Sequence, residues 1–441
     1  MSVAASRPPL RDAFRALNTP NFRLFWSAQL FSQMGTWMQR LAQAWLVLKL
    51  TNSPLALGTI TTVQFAPILF LSLAGGVFAD RLPKRRLLFA TQLTLFVQAL
   101  VLGLLTAAGR ITIPEIYLLA AILGVATAID TPTTQAFTVE LAGRDDLPNA
   151  IALNATQMTA ARITGPAIAG VGIAVVGVSG CFLFNAVSYL AVVVCLLLLR
   201  ADRMFAGRPA SHGGIFAQLR EGISFSLTTP DVALVLLLMA ALGTFGYNFA
   251  VVLPLFDQYV LHAGSIVFGL LNVAMGAGSL LASLHLAYRG RPARRALLLS
   301  VAGFSLLLLT FAYSQRVWLA IPVLVPLGVC SIAFLTTGQT RLQLVTPAQM
   351  QGRVMSLYQV LIGGTTPIGA TLVGFLAQRF NVPFAVTLMA MLCATGVGIA
   401  LLYTRRNQAR MTPDDQMLTV AALRADEQPA VAATAPAAAS G

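Results

Sequence analysis

The sequence predicts an all-α integral membrane protein, with twelve transmembrane helices in two pseudo-symmetric six-helix halves. Three observations carry that prediction. The 441 residues are 57% hydrophobic and 10% charged, whereas a soluble domain is about 25% charged. Twelve apolar runs recur along the chain, each near the roughly 20 residues that cross a bilayer as a helix. Basic residues gather in alternate loops between those runs, the asymmetry that orients membrane proteins.

Taken in order, residues 1–20 form a polar, basic segment with Arg7, Arg11 and Arg15. It is expected to stay in the cytoplasm, with 10–17 as a short interfacial helix, and it lacks the apolar core of a secretory signal. The apolar runs then fall at 22–48, 54–78, 87–108, 114–137, 150–176, 180–199, 231–253, 263–287, 296–313, 317–338, 354–376 and 382–403. Hydrocarbon offers no partners to backbone N–H and C=O groups, so each run is a helix. With the N-terminus placed in the cytoplasm, 23 of the 29 basic residues fall on the cytoplasmic side. Lys49, Arg110, Arg316 and Arg379 fall on the other side, and Arg40 and Arg162 lie inside spans. Both termini are therefore expected in the cytoplasm.

The one long interior gap, 200–230, divides an N-terminal half (21–199) from a C-terminal half (231–403). Within it, 216–227 reads as an amphipathic helix lying on the membrane surface. The tail 404–441 ends in an Ala/Pro-rich stretch and reads as disordered. The halves echo each other. Arg81-Leu82-Pro83-Lys84-Arg85-Arg86 matches Gly290-Arg291-Pro292-Ala293-Arg294-Arg295, and Gly165-Pro166 in span five matches Thr366-Pro367 in span eleven. Parallel six-span repeats are an organisation known among secondary transporters.

The composition also excludes function classes. The net charge of +14 is explained by topogenic loops, so nucleic acid is not an expected partner. Cys181, Cys195, Cys330 and Cys393 all lie in apolar runs without a CxxC pair, so neither a metal site nor a disulfide framework is expected. No GxxxxGK[ST] loop is present, which leaves no P-loop for ATP. No nucleophile–His–acid set is visible, so an enzyme is not expected, and no cofactor is implied.

Over residues 20–403 the chain resembles a major facilitator superfamily transporter. The family's loop signature between spans two and three is matched by Gly76, Asp80, Arg81, Lys84 and Arg85, with Pro83 standing where a second glycine is expected. Gly165-Pro166 followed by Gly170 is similar to the signature of the superfamily's exporters. Asn21-Phe22-Arg23-Leu24-Phe25-Trp26, Met34-Gly35-Thr36-Trp37-Met38-Gln39 and Ser53-Pro54-Leu55-Ala56-Leu57-Gly58 resemble the branch that holds the enterobactin exporter and macrolide efflux proteins. That resemblance implies export of a siderophore or drug-like amphipathic compound by alternating access with proton antiport, by a monomer in a bacterial inner membrane. It also implies that Asp80 approaches the start of span eleven and steadies an outward-facing state, with Gly76, Arg81 and Arg85 shaping the turn. An importer or facilitator of a small metabolite, or a non-transporting membrane scaffold, remains an alternative.

Individual residues sharpen the expectation. In span one, Gln29, Gln33, Thr36, Arg40 and Gln43 share one helical stripe, and polar groups facing lipid are costly, so the stripe is expected to line a cavity. The alternative for Arg40 is snorkelling to the outer interface beside Lys49. Arg162, near the middle of span five, needs a partner, and Asp130 in span four is the acid on an adjacent span. An Asp130–Arg162 pair is therefore expected, either as a structural lock or as a proton-operated switch. Gly165, Pro166 and Gly170 are expected to form a kinked, closely packed hinge, with Thr366, Pro367 and Gly369 doing the same in span eleven. Tyr247 and Asn248 in span seven, with Thr336 and Gln339 in span ten, are expected to complete a pocket for an amphipathic substrate. Glu115 and Asp257 read as solvated residues at span ends.

Overall fold

The computed structural model describes residues 12–143, 146–200, 202, 204–205, 215–289 and 293–413. Within helices, the side chains of 12–13, 72–81, 148, 159, 162–163, 166–167, 215–219, 287–289 and 348–349 lie outside the description. Of the tail expected to be disordered, 404–441, residues 414–441 fall outside it, whereas 404–407 instead continue the last helix and 408–410 form a 3-10 turn; 10 and 11 of the predicted N-terminal helix also fall outside it. The rest of that segment forms a short 3-10 turn, Asp12–Asn18.

The first six spans are α1 (Pro20–Thr51), α2 (Pro54–Arg81), α3 (Lys84–Ala107), α4 (Ile113–Ala142), α5 (Leu147–Val175) and α6 (Gly177–Leu198). Helix α7 (Ile215–Thr228) follows in the central gap. The seventh span is assembled from α8 (Pro230–Ala241) and α9 (Phe249–Phe256), and the rest are α10 (Ser265–Arg289), α11 (Arg294–Ala312), α12 (Val317–Val345), α13 (Ala348–Gln359) with α14 (Thr366–Arg379), and α15 (Val382–Asn407). Ten of these stretches are long and apolar enough to cross a membrane. Helices α1 and α5 have the length, 32 and 29 residues, and they carry the polar stripe and Arg162.

Local chemistry explains where the helices begin. Proline occupies the first turn of α1, α4, α5, α8, α14 and α15, where its missing N–H has no helical partner anyway. Helix α4 also starts in a capping box, the Thr112 N–H donating to Glu115 at 2.7 Å, a pairing that satisfies an otherwise orphaned donor. Glu115 is thus a capping residue. Helix α1 ends where Asn52 takes the left-handed conformation (φ 45°), the turn that lets α2 fold straight back.

Two spans differ from the expected continuous helices. The seventh loosens into a π turn at Leu242–Gly246, breaks at Tyr247 and Asn248, and ends in a second π turn, Asp257–Leu261. The eleventh is interrupted by a π turn at Val360–Gly364. The breaks face each other. A Cβ on Gly369 would collide with the Thr244 carbonyl and the Asn248 amide, and one on Gly243 with the Leu361 carbonyl. The irregular backbone is therefore buried against protein, the setting in which a membrane interior tolerates it.

The two halves repeat one packing scheme. Helix α2 packs on α4, α4 on α3, α3 on α6 and α6 on α1, and likewise α10 packs on α12, α12 on α11, α11 on α15 and α15 on α8. Between halves, α2 meets α14 and α5 meets α10, a pair of contacts related by the same pseudo-symmetry. Gly170 and Gly269 bring α5 and α10 so close that a Cβ on either would lie 2.6–2.8 Å from the other's Cα. Gly58 of α2 and the Ala370–Gly374 stretch of α14 make the equivalent approach. Small residues of this kind let membrane helices meet backbone to backbone.

All of these contacts between halves lie toward one end of the bundle, the end away from the start of α1 and the end of α15. There the Tyr259 hydroxyl donates to Asn52 at 3.0 Å, the Ser53 hydroxyl donates to Gln378 at 2.9 Å, and Trp45 stacks on Phe268 at 5.8 Å. The Thr62 hydroxyl donates to the Pro367 carbonyl at 3.0 Å a few turns further in. Among the described residues, no hydrogen bond or ion pair joins the two six-helix halves at the terminal end.

Candidate functional site

The polar stripe of α1 turns inward. Gln29 and Gln43 are buried, and Gln33, Thr36 and Arg40 are half-buried. The Thr36 hydroxyl pairs with the Tyr189 hydroxyl of α6 at 2.9 Å. Arg40 does not snorkel to the distal interface: its guanidinium lies over Trp37 at 5.0 Å and over Phe65 of α2 at 5.4 Å. Aromatic faces attract a cation electrostatically, yet they give its N–H donors no lone pair. The Arg40 Nε is buried without a partner, and among the described residues no carboxylate makes an ion pair with it.

Asp130 of α4 is held by α3. The Thr91 hydroxyl donates to it at 2.7 Å and the Gln92 amide at 3.0 Å. The expected partner Arg162 lies on α5 with its side chain outside the described residues. Tyr189 is within electrostatic range of both Arg40 and Asp130, so hydroxyls and charges of α1, α4 and α6 form one polar column through the first half.

Beside that column sits a network that charge-based reading missed. The Asn185 amide donates to Gln39 at 2.7 Å, the Gln39 amide donates to Gln98 at 3.1 Å, and the Ser188 hydroxyl donates to Asn185 at 2.9 Å. It ties α1, α3 and α6 together. Its only trace in the sequence is the presence of amides within apolar runs, and Gln39 stands off the stripe that drew attention.

In the second half, Tyr247 and Asn248 occupy the break of the seventh span. The Tyr247 hydroxyl donates to the Ser331 carbonyl at 3.0 Å, and the Asn248 amide donates to the Thr244 carbonyl at 2.7 Å. Asn248 is buried and its Oδ1 has no partner. Thr336, Gln339 and Gln343 form an exposed row along the terminal half of α12, and Thr131 and Gln135 form another on α4. Amides and hydroxyls are disfavoured against lipid, so both rows fit an aqueous space that opens at the terminal end.

The residues expected to act in gating separate in the structure. Gly165 packs against Trp37 and the Met34 carbonyl of α1, whereas Gly170 packs against α10, so the two glycines serve different interfaces. Arg85 donates to the carbonyls of Leu196 and Leu197 at 2.8 and 3.2 Å, capping α6. Gly76, Asp80, Arg81 and Pro166 lie on helices, with side chains outside the described residues. Asp257 corrects the reading of a solvated end residue. It is fully buried, because the π turn folds it inward beside the Gly264 N–H and His262.

At the terminal end the second half holds a dry charge cluster that the sequence did not advertise. Asp231, the second residue of α8, accepts from Arg341 of α12 at 2.8 Å, with Arg294 of α11 at 3.7 Å and the Thr412 N–H at 2.8 Å. Asn21, the second residue of α1, does a neutral version of the same task. Its amide donates to the Arg200 carbonyl at 2.8 Å and its Oδ1 accepts from the Arg200 N–H at 3.2 Å. Lys84 and Glu140 pair nearby at 2.8 Å.

A family model described as transmembrane secretion effector matches residues 11–428. The staphyloferrin A transporter of Staphylococcus aureus (strain NCTC 8325 / PS 47) is 25% identical over 382 residues, 85% of this chain and 94% of its own length. Among solved structures, a POT family transporter in complex with a thioalcohol-conjugated peptide superposes with TM-score 0.70 at 12% identity, covering 87% of this chain and 96% of its own. A bacterial homologue of the iron transporter ferroportin in an inward-facing state superposes with TM-score 0.67 at 13% identity, covering 90% and 100%. At these identities the structural matches speak for the fold alone.

Proposed function

The chain belongs to the transmembrane secretion effector family of the major facilitator superfamily, and from that premise we propose that it exports a siderophore-like or drug-like amphipathic compound by alternating access, driven by proton antiport. It is a multi-pass membrane transporter and not an enzyme, as its relative and structural neighbours are transporters. The finer reading rests mainly on one observation: the described contacts between halves close the end distal to the termini and reach as far as mid-bundle, where Leu69 meets Gly364, while polar rows on α4 and α12 line the other end.

In this reading the termini lie in the cytoplasm of a bacterium, the inner membrane carries the protein, and the structure corresponds to an inward-open state. The basic residues of the terminal-end loops support that orientation. The relative's named substrate, staphyloferrin A, supports the siderophore class. Rocking the halves would open the distal contacts and bring the Asp80 turn to the start of α13, where a carboxylate meets a helix N-terminus favourably. Arg353 of α13 pairs with Glu221 of α7 in the present state. Gly76, Arg81, Arg85, Gly165, Pro166 and Gly170 are the hinge and turn residues of that movement. Gln29, Gln33, Thr36, Arg40, Tyr247, Asn248 and Gln339 line the path, and Asp130 with Arg162 is the proton-coupling element.

The test is substrate-induced proton movement in inverted vesicles across siderophores, macrolides and cationic dyes. One class is expected to drive a response, and Asp130→Asn is expected to abolish proton movement while substrate still binds. Unchanged coupling in that variant refutes the role of Asp130. Silence of the inserted wild-type protein across the panel refutes the exporter reading.

A further inference from the structure

We propose that Arg40 is the anion-binding point of the cavity, and that the transported compound carries a carboxylate that seats on it. The inference rests on the exporter reading above for the cavity's purpose, and it adds the charge of the cargo.

Buried polar groups in folded proteins nearly always have partners, so clustered exceptions call for a reason. Arg40 has a buried Nε without one, Gln43 has both amide atoms without one, and Gln64 of α2 has its Nε2 without one. Gln43 lies one turn beyond Arg40 on the same stripe. Gln64 precedes Phe65, whose ring lies against the Arg40 guanidinium. Helices α1 and α2 are joined by a short turn, so depth can be compared by counting residues. At 1.5 Å per residue, Arg40, Gln64 and Gln43 lie about 16.5, 15 and 12 Å below the helix ends at the distal turn. They lie within about 5 Å of one another in depth, below the Tyr259–Asn52, Ser53–Gln378 and Trp45–Phe268 contacts between the halves.

The chemistry of that level is donor-rich and cationic. Arg40 presents five N–H donors in a planar fork that matches a carboxylate. The amide N–H groups of Gln43 and Gln64 add unpartnered donors at a similar depth. Trp37 and Phe65 supply aromatic faces for the apolar part of an amphipathic molecule. The nearest described acid in the column, Asp130, is engaged by Thr91 and Gln92 of α3, and Arg40 forms no ion pair with it. In the second half, Tyr247, Asn248, Thr336 and Gln339 offer amides, hydroxyls and an aromatic ring and no charge. A cationic cargo would meet an uncompensated guanidinium, whereas a carboxylate would complete it.

The test uses the full-length protein in nanodiscs, titrated calorimetrically with a carboxylate siderophore, its methyl ester and a cationic dye. The acid is expected to bind at least about tenfold tighter than the ester, since a hydrogen-bonded charge is worth more than a neutral contact. Arg40→Gln is expected to weaken the acid by about 10- to 100-fold and to leave the ester unchanged, while Arg40→Lys recovers part of the loss. A merely structural role for Arg40 would weaken acid and ester together and lower the melting temperature of both variants. Tighter binding of the dye or the ester, an unchanged acid affinity in Arg40→Gln, or no acid binding at all overturns the proposal. Vesicle flux separates the two readings: transport of cationic dyes alone keeps the exporter and sinks the anion site, and acid binding without flux does the reverse.

Discussion

Replacing Asp231 by asparagine isolates the charge of the terminal-end cluster without changing its shape. The amide oxygen of the new side chain would still accept from the Thr412 N–H, which Asp231 now holds at 2.8 Å, so the tail contact survives. What is lost is the counter-charge of Arg341, whose side chain is 1% exposed against 3% for Asp231. Removing one member of a buried pair leaves an uncompensated charge and costs about 3–5 kcal/mol. Arg294, at 3.7 Å and 16% exposed, can turn to water and adds little. Equilibrium unfolding in sodium dodecyl sulfate, followed by tryptophan fluorescence, is expected to show that loss. The apolar double variant Asp231→Leu with Arg341→Met is expected to recover to within about 1 kcal/mol of wild type or better, because a buried pair as a whole adds little over packed apolar groups. In contrast, Glu140→Gln breaks a pair whose members keep 15% and 17% exposure at a helix end, and is expected to cost less than about 1 kcal/mol. An Asp231→Asn stability within about 1 kcal/mol of wild type, or a double variant as unstable as the single one, would refute the dry pair as the source of the loss.

Two glycines allow sharper tests of the moving parts. Gly170→Ala places a methyl against the Gly269 Cα; overpacking of about 1–3 kcal/mol corresponds to a roughly 5- to 150-fold shift toward distal opening. Maleimide labelling of a cysteine placed at Ser53 is expected to accelerate accordingly, and an unchanged rate would show that this approach does not hold the distal end shut. Gly369→Ala drives a methyl into the Thr244 carbonyl and the Asn248 amide and is expected to lose about 1–3 kcal/mol, whereas Gly363→Ala, whose methyl would enter open space, is expected to stay within about 0.5 kcal/mol. Equal effects of the two in the same detergent titration would deny that the seventh and eleventh spans are locked at their breaks.

Much of the fold was legible because its signals are summed over whole spans. Long apolar runs, or a stripe repeating every third and fourth position, average out local noise, so the twelve spans and the inward face of α1 could be read directly. The site was less legible because partners in a bundle come from helices distant in sequence. Asp130 was matched to Arg162, whose side chain lies outside the described residues, by a search for opposite charge; the structure adds the Thr91 hydroxyl and the Gln92 amide as partners, groups whose abundance hides them. Asp257 looked solvated because it stands near the end of an apolar run; the π turn that buries it has no compositional signature. The breaks in the seventh and eleventh spans had only scattered glycines to announce them. Asp231 was passed over as a boundary residue, although Thr229-Pro230-Asp231 repeats Thr19-Pro20-Asn21.

That last repeat shows where the halves differ. Asn21 and Asp231 both clamp the chain segment that leaves the last span of their half, at Arg200 and at Thr412. Lys84 and Arg294 open the equivalent helices α3 and α11, and Glu140 and Arg341 lie near the ends of α4 and α12. The scaffold is shared, but the carboxylate sits on α4 in the first half and on α8 in the second. In the second half it ties α8 to α12 through a dry pair, with Arg294 of α11 and the Thr412 N–H beside it. In the first half the clamp is neutral and the ion pair stays at the edge, with Lys84 four residues from Asp80 along the chain. A pair with water access exchanges partners at little cost, whereas a dry one does not. Among the described residues the dry, fixed pair of the terminal end is therefore Asp231–Arg341 in the second half, while the pairs that keep water access are Lys84–Glu140 in the first half and Arg353–Glu221 between α13 and α7.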